Sequence, residues 1–344
     1  MKKFSNKEYY KDLTGQMQRQ FDLVEATIAH LFRSPHPGLG GRAYGAAFCD
    51  TLINRGLIDQ ETPVILEVGG GLGDFALAFV SRLRQKQIAS RYIVLDISPA
   101  LQKEQQAKAG HLDNIAFLLG DGQRLPFGDG EIIGTIISNE VIADLDSVEL
   151  TRAEFYGSSN PAIKLLQKSC QAEITDNIII NNGAIEFIQE IDRVLGKGNV
   201  VLTEHGVDQA RLIKCGKLGS DKAEETHFEV SIDFSHLTKI ANLMGFSTEL
   251  VPLIDFLPFN KEMRVANFND ARGLHNAYPQ DWSVEAIPLD RLYEVYGHDL
   301  ATALTTQGLR FPEIGADGFP DDNTMAFRVA FKALILQKIV GLNK

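Results

Sequence analysis

The sequence predicts an α/β fold built on a Rossmann-like, seven-stranded, mostly parallel sheet. Short apolar runs alternate with segments of helical periodicity from residue 63 onward. A glycine-rich turn directly follows the first of these runs, and polar residues stand at the ends of several others. Because ligands bind beyond the carboxyl ends of strands in open α/β sheets, these polar residues form the candidate site. An N-terminal cap, an insert and C-terminal elements are expected on the substrate side.

The composition excludes several classes of protein. The chain has 344 residues, enough for one large domain or a domain with an elaboration. Its net charge of −11 leaves no basic excess to neutralise phosphates, so no nucleic-acid partner is expected. The polar N-terminus and the lack of a long apolar run predict no membrane contact and favour a cytoplasmic protein. Cys49, Cys170 and Cys215 are few and widely spaced, which predicts neither a disulfide framework nor a metal site.

Residues 1–60 are expected to form an N-terminal helical cap. Apolar residues recur at helical spacing between positions 21 and 32, and a Pro- and Gly-rich break separates them from a second helix. A cap in front of a nucleotide-type fold covers the ligand in many proteins. Tyr9, Tyr10 and Tyr44 are therefore interpreted either as lid or substrate contacts or as aromatic packing of the cap on the domain.

The stretch from Pro63 to Asp96 carries the strongest functional signal. Val64–Val68 is typical of a buried strand, the glycines follow at once, and a helical pattern begins at Phe75. A bare backbone at such a turn lets a ligand approach the N-terminus of the helix. Glu67 precedes the glycines and Asp96 ends the next strand, a layout that suits a nucleoside-type ligand. The glycine spacing differs from the G-x-G-x-x-G of a dinucleotide site, so a dinucleotide is the less favoured ligand.

Polar residues also end the third and fourth predicted strands. Asp121 and Gly122 follow the third strand, where an acid can accept a hydrogen bond from an exocyclic amine such as that of adenine. The alternative is a simple Asp-Gly turn. Asn139 and Glu140 end the fourth strand and are expected to face the reaction centre, with Glu140 orienting or deprotonating an amine. The alternative for this pair is capping of the next helix.

Two further candidates lie on the substrate side. An insert over about residues 149–182 interrupts the alternation of strands and helices, and is expected to be irregular, with some helix over residues 162–171. Tyr156 in this insert is a candidate contact to the acceptor. The fifth strand is predicted to end before Glu204 and His205. His205 is interpreted as a base, as a metal ligand or as a hydrogen-bonded structural histidine.

The predicted core spans residues 61–255. Its last elements are a strand over residues 229–234, a helix, and a strand over residues 246–253, which together complete the sheet. Residues 256–344 are expected to form a C-terminal extension packed on the core.

The acid followed by evenly spaced glycines resembles motif I of class I S-adenosylmethionine (SAM) methyltransferases. The segments LEVGGGLGDFALAFVSRL, YIVLDISPALQKEQQAK, IISNEVIADL and SIDFSHLTKIANLMGF resemble the narrower MidA-like (DUF185) group, which includes a mitochondrial factor that methylates an arginine. The resemblance implies SAM as cofactor and S-adenosylhomocysteine as product. The cofactor-binding residues are expected to be Glu67, Gly69, Gly71, Gly73, Asp96, Ile97, Asp121, Gly122 and Asn139. The expected catalytic residues are Asn139, Glu140, His205 and Tyr156.

The chain departs from the MidA-like pattern on the substrate side. Ala143-Asp144-Leu145-Asp146 replaces the usual Asp-Ala-Leu-Pro, and Glu204-His205-Gly206 replaces Asp-Tyr-Gly. The acceptor is therefore left open between a small molecule of a natural-product pathway, a carrier-bound group and a protein side chain, with N, O or C as the methylated atom. One alternative is use of the aminocarboxypropyl group of SAM, with release of methylthioadenosine. Another is a non-catalytic assembly factor, and the oligomeric state is not predicted.

Overall fold

The computed structural model describes seven parts of the chain, namely residues 2–12, 27–169, 177–208, 216–217, 228–230, 232–259 and 331–338. The predictions for the apolar positions of residues 21–24, for Cys170 and Cys215, and for most of residues 256–344 lie outside these parts. None of the described helices is long and apolar enough to span a bilayer.

Strands in the described residues belong to one large sheet and two small ones. The longest is β8, and the next longest are β5 and β13. In chain order, the strands are β1 (Lys2–Phe4), β2 (Val64–Val68), β3 (Arg91–Asp96), β4 (Ile115–Leu119), β5 (Ile132–Asn139), β6 (Ser147–Leu150), β7 (Ile178–Ile180), β8 (Leu195–Val207), β9 (Gly216–Lys217), β10 (Phe228–Glu229), β11 (Ile232–Asp233), β12 (Phe246–Pro252) and β13 (Phe331–Lys338).

The helices alternate with the strands of the large sheet. In chain order, the described α-helices are α1 (Lys7–Asp12), α2 (Ile28–Leu31), α3 (Tyr44–Asn54), α4 (Asp74–Gln85), α5 (Pro99–Ala109), α6 (Arg152–Gly157), α7 (Pro161–Ser169), α8 (Asn182–Val194), α9 (Phe234–Leu243) and α10 (Leu253–Phe256). Local sequence sets where several of them begin. The Ser98 side chain caps α5 by accepting from the N–H of Leu101, and Asn181 caps α8 in the same way.

The large sheet has the strand order β12-β13-β8-β5-β2-β3-β4, and the short β11 also pairs with β8. The five strands from β8 to β4 are parallel, and β13 is antiparallel to both of its neighbours. The predicted α/β class and mostly parallel sheet are therefore confirmed. In the register, Val68 lies opposite Leu95 and Ser138, and Asn139 lies opposite Thr203. The polar residues that follow these strands consequently meet at one edge of the sheet.

Both faces of the sheet are buried. Leu66 and Val68 point to the face covered by α8 and α9, whereas Ile65 points to the face covered by α3 and α4. Successive residues of a strand point to opposite faces, so a strand covered on both sides needs a continuous apolar run. This requirement explains why every residue of Val64–Val68 except Glu67 is apolar. Glu67 is buried in the same strand.

The last strands of the sheet differ from the prediction. The region 229–234 is predicted to be one strand, but its described residues hold the end of β10 and the short β11, because Asp233 accepts hydrogen bonds from the first backbone N–H groups of α9 and so begins that helix. The predicted strand over residues 246–253 is confirmed as β12. The strand that completes the sheet is β13, which pairs with β8 and β12. The predicted core boundary at residue 255 therefore leaves out one strand, and the remaining domain division stays a prediction.

The N-terminal segment and the insert form a small sheet in the order β1-β6-β7. The segment predicted as an N-terminal helical cap also contains a strand, because β1 pairs antiparallel with β6. The insert is also more regular than predicted, with β6, α6, α7 and β7 in its described part. Thr151 and Glu154 form a capping box that begins α6. Helix α7 confirms the helix predicted near residue 162.

Candidate active site

A cavity of about 210 Å³ lies at the carboxyl edge of the sheet, where β2, β3, β4 and β5 end. All of the predicted cofactor-binding residues except Gly73 line it, namely Glu67, Gly69, Gly71, Asp96, Ile97, Asp121, Gly122 and Asn139. The N-terminal part of the chain adds further lining residues, namely Asn6, Lys7, Tyr9, Tyr10, Thr27 and Ala29. Motifs that are distant in sequence therefore meet in one place.

The glycine-rich turn presents bare backbone to this cavity. Gly69, Gly71 and Gly73 have positive φ angles of 82°, 48° and 84°. A Cβ at Gly69 would lie 2.3 Å from Cγ2 of Val141, so no larger residue fits there. Gly73 caps α4, and a Cβ at this position would lie 2.9 Å from Cα of Gln105. Gly73 thus lets α4 approach α5, whereas the first two glycines face the cavity.

Glu67 is an acid whose carboxyl is removed from water. It is 2% exposed, and the hydroxyl of Tyr92 donates a hydrogen bond of 2.9 Å to its Oε2. Burial raises the pKa of Glu67 to about 8, although the bond from Tyr92 acts in the opposite direction. A buried carboxyl of this kind ionises readily when a cation lies beside it. It fits a ligand that carries an ammonium and a sulfonium group, as SAM does.

Asp96 ties the glycine-rich turn to the end of β3. Its Oδ2 accepts hydrogen bonds from the N–H of Gly70 at 3.1 Å and from Nε2 of Gln105 at 2.8 Å. Its Oδ1 accepts from the N–H of Ser98 at 2.9 Å. Burial raises the pKa of Asp96 above its usual range, and these hydrogen bonds oppose the rise. Each carboxylate oxygen has two lone pairs, so the predicted contact to ribose hydroxyls is compatible with this set of donors.

An N-terminal strap, defined here as residues 2–12, contacts the cavity at the predicted adenine end. Nζ of Lys7 lies 2.7 Å from Oδ2 of Asp121 and 3.4 Å from Oδ2 of Asp146. The pKa of Lys7 is raised, since its bonds to these two carboxylates outweigh burial, which by itself is the largest effect and lowers the pKa. The acid predicted to bind adenine is thus already paired with a lysine of the strap.

Two tyrosines of the strap line the cavity. Tyr10 donates a hydrogen bond of 2.8 Å from its hydroxyl to Oδ2 of Asp144, and its ring packs edge-on against Tyr9. Both rings pack against Leu72 and Leu101, beside the glycine-rich turn. The two interpretations offered for these tyrosines are therefore compatible, because they pack on the domain and line the cavity at the same time.

Asn139 and Glu140 lie on the opposite side of the site, at the end of β5. Oε1 and Oε2 of Glu140 accept hydrogen bonds from the N–H of Ile28 at 3.1 and 3.2 Å, and Nδ2 of Asn139 donates to Oε1 at 3.0 Å. Glu140 thus holds the start of α2 rather than the next helix along the chain. Its φ of 51° is rare for a residue with a side chain and marks a constrained position.

The acidity of Glu140 is shifted toward neutral pH. Burial, followed by the nearby charge of Glu204, raises the pKa of Glu140 to about 7, and the hydrogen bonds from Ile28 and Asn139 oppose this rise. A carboxyl with a pKa in this range can both accept and release a proton under physiological conditions.

The two other predicted catalytic residues do not line the cavity. Strand β8 continues through Glu204 to Val207, so His205 lies within the strand opposite Phe331, with Nδ1 3.0 Å from Oε1 of Glu204. Tyr156 is 50% exposed on α6, where it packs against Phe155 and Arg152. The structure therefore supports the structural interpretation of His205 and separates Tyr156 from the cavity.

Carboxyl groups predominate among the charged side chains of the cavity. Its described lining holds one lysine and seven carboxyl side chains, namely Glu67, Asp74, Asp96, Asp121, Glu140, Asp144 and Asp146. Sequence reasoning did not assign Lys7 or Thr203 to the site. Lys7 follows no motif, whereas Thr203 was within reach of the strand-end rule because it ends the predicted fifth strand opposite Asn139.

Two solved structures are similar to this chain. A COG1565 superfamily protein from Burkholderia thailandensis is 14% identical, with 98% of this chain and 87% of that chain covered and a TM-score of 0.51. A COG1565 superfamily member from the same organism, bound to S-adenosylhomocysteine, is 12% identical, with 97% and 92% covered and a TM-score of 0.49. The first likeness shows the fold. A search of curated proteins returned no match for the sequence.

Residues 65–161 match a family model described as a methyltransferase domain. The chain therefore contains a methyltransferase domain over this range. The matched range includes Glu67, Asp96, Asp121 and Glu140, which are the acids that the cavity brings together. The likeness of the methyltransferase to the COG1565 superfamily protein is one of fold. Its acidic cavity and bare glycine turn fit SAM, whose ammonium and sulfonium are cationic.

Proposed function

We propose that the methyltransferase moves the methyl group of SAM to an amine nitrogen of its substrate, with Glu140 as the group that takes up the proton. The position and pKa of Glu140 carry this proposal, because the residue lines the cavity and burial raises the pKa of its carboxyl to about 7. The excess of carboxyl groups in the lining favours a basic acceptor. The acceptor is a small molecule, a carrier-bound group or a protein side chain that presents a free amine.

Four acids divide the work in this proposal. Glu67 and the glycine-rich turn hold the methionine part of SAM, Asp96 holds the ribose, and Asp121 holds the adenine. Glu140 removes a proton from the ammonium form of the acceptor, which frees the nitrogen lone pair for attack. SAM supplies an electrophilic methyl group, and its carbon–sulfur bond breaks with the electron pair left on sulfur as the carbon–nitrogen bond forms. Glu140 then releases its proton to water.

The proposal is tested with amine and alcohol acceptors that share one carbon skeleton. The purified protein is incubated with SAM and each acceptor, and mass spectrometry identifies the nucleoside product and the methylated compound. We expect S-adenosylhomocysteine together with a methylated amine. In Glu140→Gln, kcat should fall by about 10²- to 10⁴-fold, the usual contribution of a general base, while the Kd for SAM stays close to that of the wild type. Methylation of the alcohols in preference to the amines would overturn the proposal.

The strap favours one second candidate reaction. Residues of the strap and of the sheet edge line the cavity together. The amine of a SAM molecule bound there can therefore be the nucleophile. In that reaction Glu140 takes a proton from the amine of SAM, and this nitrogen attacks the γ-carbon of its own aminocarboxypropyl group as the carbon–sulfur bond breaks. The same mass spectra decide between the two, since this reaction yields methylthioadenosine as the nucleoside product.

A further inference from the structure

The Asn139 side chain connects three elements behind the proposed base. Its Oδ1 accepts hydrogen bonds from the hydroxyl of Tyr44 in α3 at 3.0 Å and from the hydroxyl of Thr203 in β8 at 2.7 Å. Its Nδ2 donates to Oε1 of Glu140 at 3.0 Å. The orientation of an asparagine amide follows from its hydrogen-bond partners, and here both donors meet the oxygen while the acceptor meets the nitrogen.

The two hydroxyls lie outside the cavity. Tyr44 and Thr203 are each 1% exposed, and neither lines the cavity, whereas Asn139 and Glu140 do. Burial, followed by the negative charge of Glu140, raises the pKa of the Tyr44 hydroxyl well above its usual range. Tyr44 therefore keeps its proton at all physiological pH values and remains a donor. The hydrogen bonds from both hydroxyls reach Glu140 through the Asn139 amide.

We infer that Tyr44 and Thr203 are positioning residues that hold the Asn139 amide in the one orientation that supports the Glu140 carboxylate. This inference rests on the proposed function of Glu140. If the amide were reversed, its oxygen would face the carboxylate, and the two oxygens would repel each other once Glu140 is ionised. Donation from both hydroxyls to Oδ1 opposes that reversal. The ionised form of Glu140 thereby keeps a donor that it would otherwise lose.

The backbone confines Glu140 in the same way. Its N–H donates to the carbonyl oxygen of Thr203 at 2.8 Å, and its φ of 51° lies in the left-handed region. Thr203 therefore contacts the site twice, through its carbonyl and through its hydroxyl. A change from Thr203 to Val removes only the hydroxyl and preserves the backbone contact. Tyr44→Phe likewise removes one oxygen and preserves the ring, which packs beside Phe48 and Phe75.

The test measures the titration of Glu140 itself and needs no acceptor. Protein labelled with ¹³C at glutamate side chains is titrated from acid to alkaline pH with S-adenosylhomocysteine bound, and the Glu140 signal is assigned by its loss in Glu140→Gln. We expect the midpoint to rise by about 0.5 to 1 unit in Thr203→Val and in Tyr44→Phe, because the ionised carboxyl loses an oriented donor. Thr203→Ser keeps the hydroxyl and should titrate with the wild type. Amide spectra of each variant establish that the native fold is present.

The outcomes separate this inference from the proposed function. Unchanged midpoints in both Thr203→Val and Tyr44→Phe, or a shift in Thr203→Ser of equal size, would overturn the positioning role even in an active amine methyltransferase. Shifted midpoints in a protein that releases only methylthioadenosine would preserve the positioning role and overturn amine methylation. With an amine acceptor, Thr203→Val and Tyr44→Phe should lower kcat with little change in the KM for SAM. The acid limb of their pH–rate profiles should move to higher pH.

Discussion

Glu67 links ligand binding to the protonation state of a single buried residue. Its carboxyl is largely neutral near pH 7, since burial raises its pKa to about 8, and a cationic ligand beside it favours the ionised form. We therefore expect SAM to bind more tightly as the pH rises from about 6 to about 8, with release of a proton on binding. Calorimetry in buffers of different ionisation enthalpy measures both effects. Glu67→Gln should bind SAM more weakly and without the proton release.

The same residue predicts how stability changes with pH. The folded-state pKa of about 8 lies above the ordinary value of 4.5, so between these values the folded protein holds a proton that the unfolded chain releases. The contribution of Glu67 is therefore fully present below about pH 4.5 and is lost as the pH rises through about 8. Urea unfolding at several pH values should show a smaller fall in Glu67→Gln than in the wild type. An equal fall of the unfolding free energy in both proteins would contradict the raised pKa of the Glu67 carboxyl.

The glycine-rich turn offers a matched pair of substitutions. A Cβ at Gly69 would clash with Val141, whereas a Cβ at Gly71 has open space within 4 Å, and both positions have positive φ. Gly71→Ala should cost about 1 kcal/mol of unfolding free energy through backbone strain alone. Gly69→Ala should cost more, because Val141 must also move. Chemical denaturation measures this difference. Equal losses of unfolding free energy in the two variants would show that Val141 can move aside at no cost.

At the scale of elements, the strap is expected to control how long the ligand stays bound. Lys7 joins it to Asp121 and Asp146, but all three side chains are about 30% exposed, so water and salt weaken these pairs. Lys7→Met should raise the dissociation rate of S-adenosylhomocysteine by about two- to fivefold, the range expected for a half-exposed ion pair. Lys11→Met on the same helix is the control, since Lys11 pairs with Glu8 within α1. Stopped-flow fluorescence gives the dissociation rates. Equal rates in the two variants would show that the ion pairs of Lys7 do not slow the release of the ligand.

Elements also show which parts of the site sequence reasoning can reach. The positions of Glu67, Asp96, Asp121 and Asn139 follow from one local rule, because a polar residue after a buried parallel strand must lie at the carboxyl edge of the sheet. The same rule misplaced His205, since β8 continues past the polar Glu204 and keeps its pairing with β13. Contacts of the strap depend on which distant segments fold together. No local pattern encodes them, so they required the structure.

At the scale of the whole molecule, β13 contributes to the apolar cores on both faces of the large sheet. Leu334 of this strand is fully buried on the face of α8 and α9, and the strand pairs with β8 on one side and β12 on the other. Leu334→Ala should lower the unfolding free energy by about 2 to 5 kcal/mol in one cooperative transition. Leu243→Ala is the control, because Leu243 is 54% exposed and should change stability by less than about 0.5 kcal/mol. Separate unfolding of the SAM site and of this edge, seen by two spectroscopic probes, would show that β13 does not bind the molecule together.

The role of β13 was also the largest departure from the sequence prediction. Its apolar run was compatible with either a helix or a strand, because a short buried segment has no distinctive period. The choice is made by partners, since β8 and β12 each present an open edge to it. A fold class can thus be predicted from alternating local signals, whereas the identity of the last strand depends on contacts far apart in the chain.

Because β13 lies between β8 and β12 in the sheet, the order in which the strands are synthesised affects folding on the ribosome. Strand β12 emerges long before β13, yet within the described sheet β12 is attached only through β13. Until β13 leaves the exit tunnel, the edges of β8 and β12 that pair with β13 in the described sheet lack this partner strand. Exposed edges are templates for wrong pairing, and closure by a distant strand is slow. Chaperone demand during synthesis is thus expected to peak between translation of β12 and translation of β13.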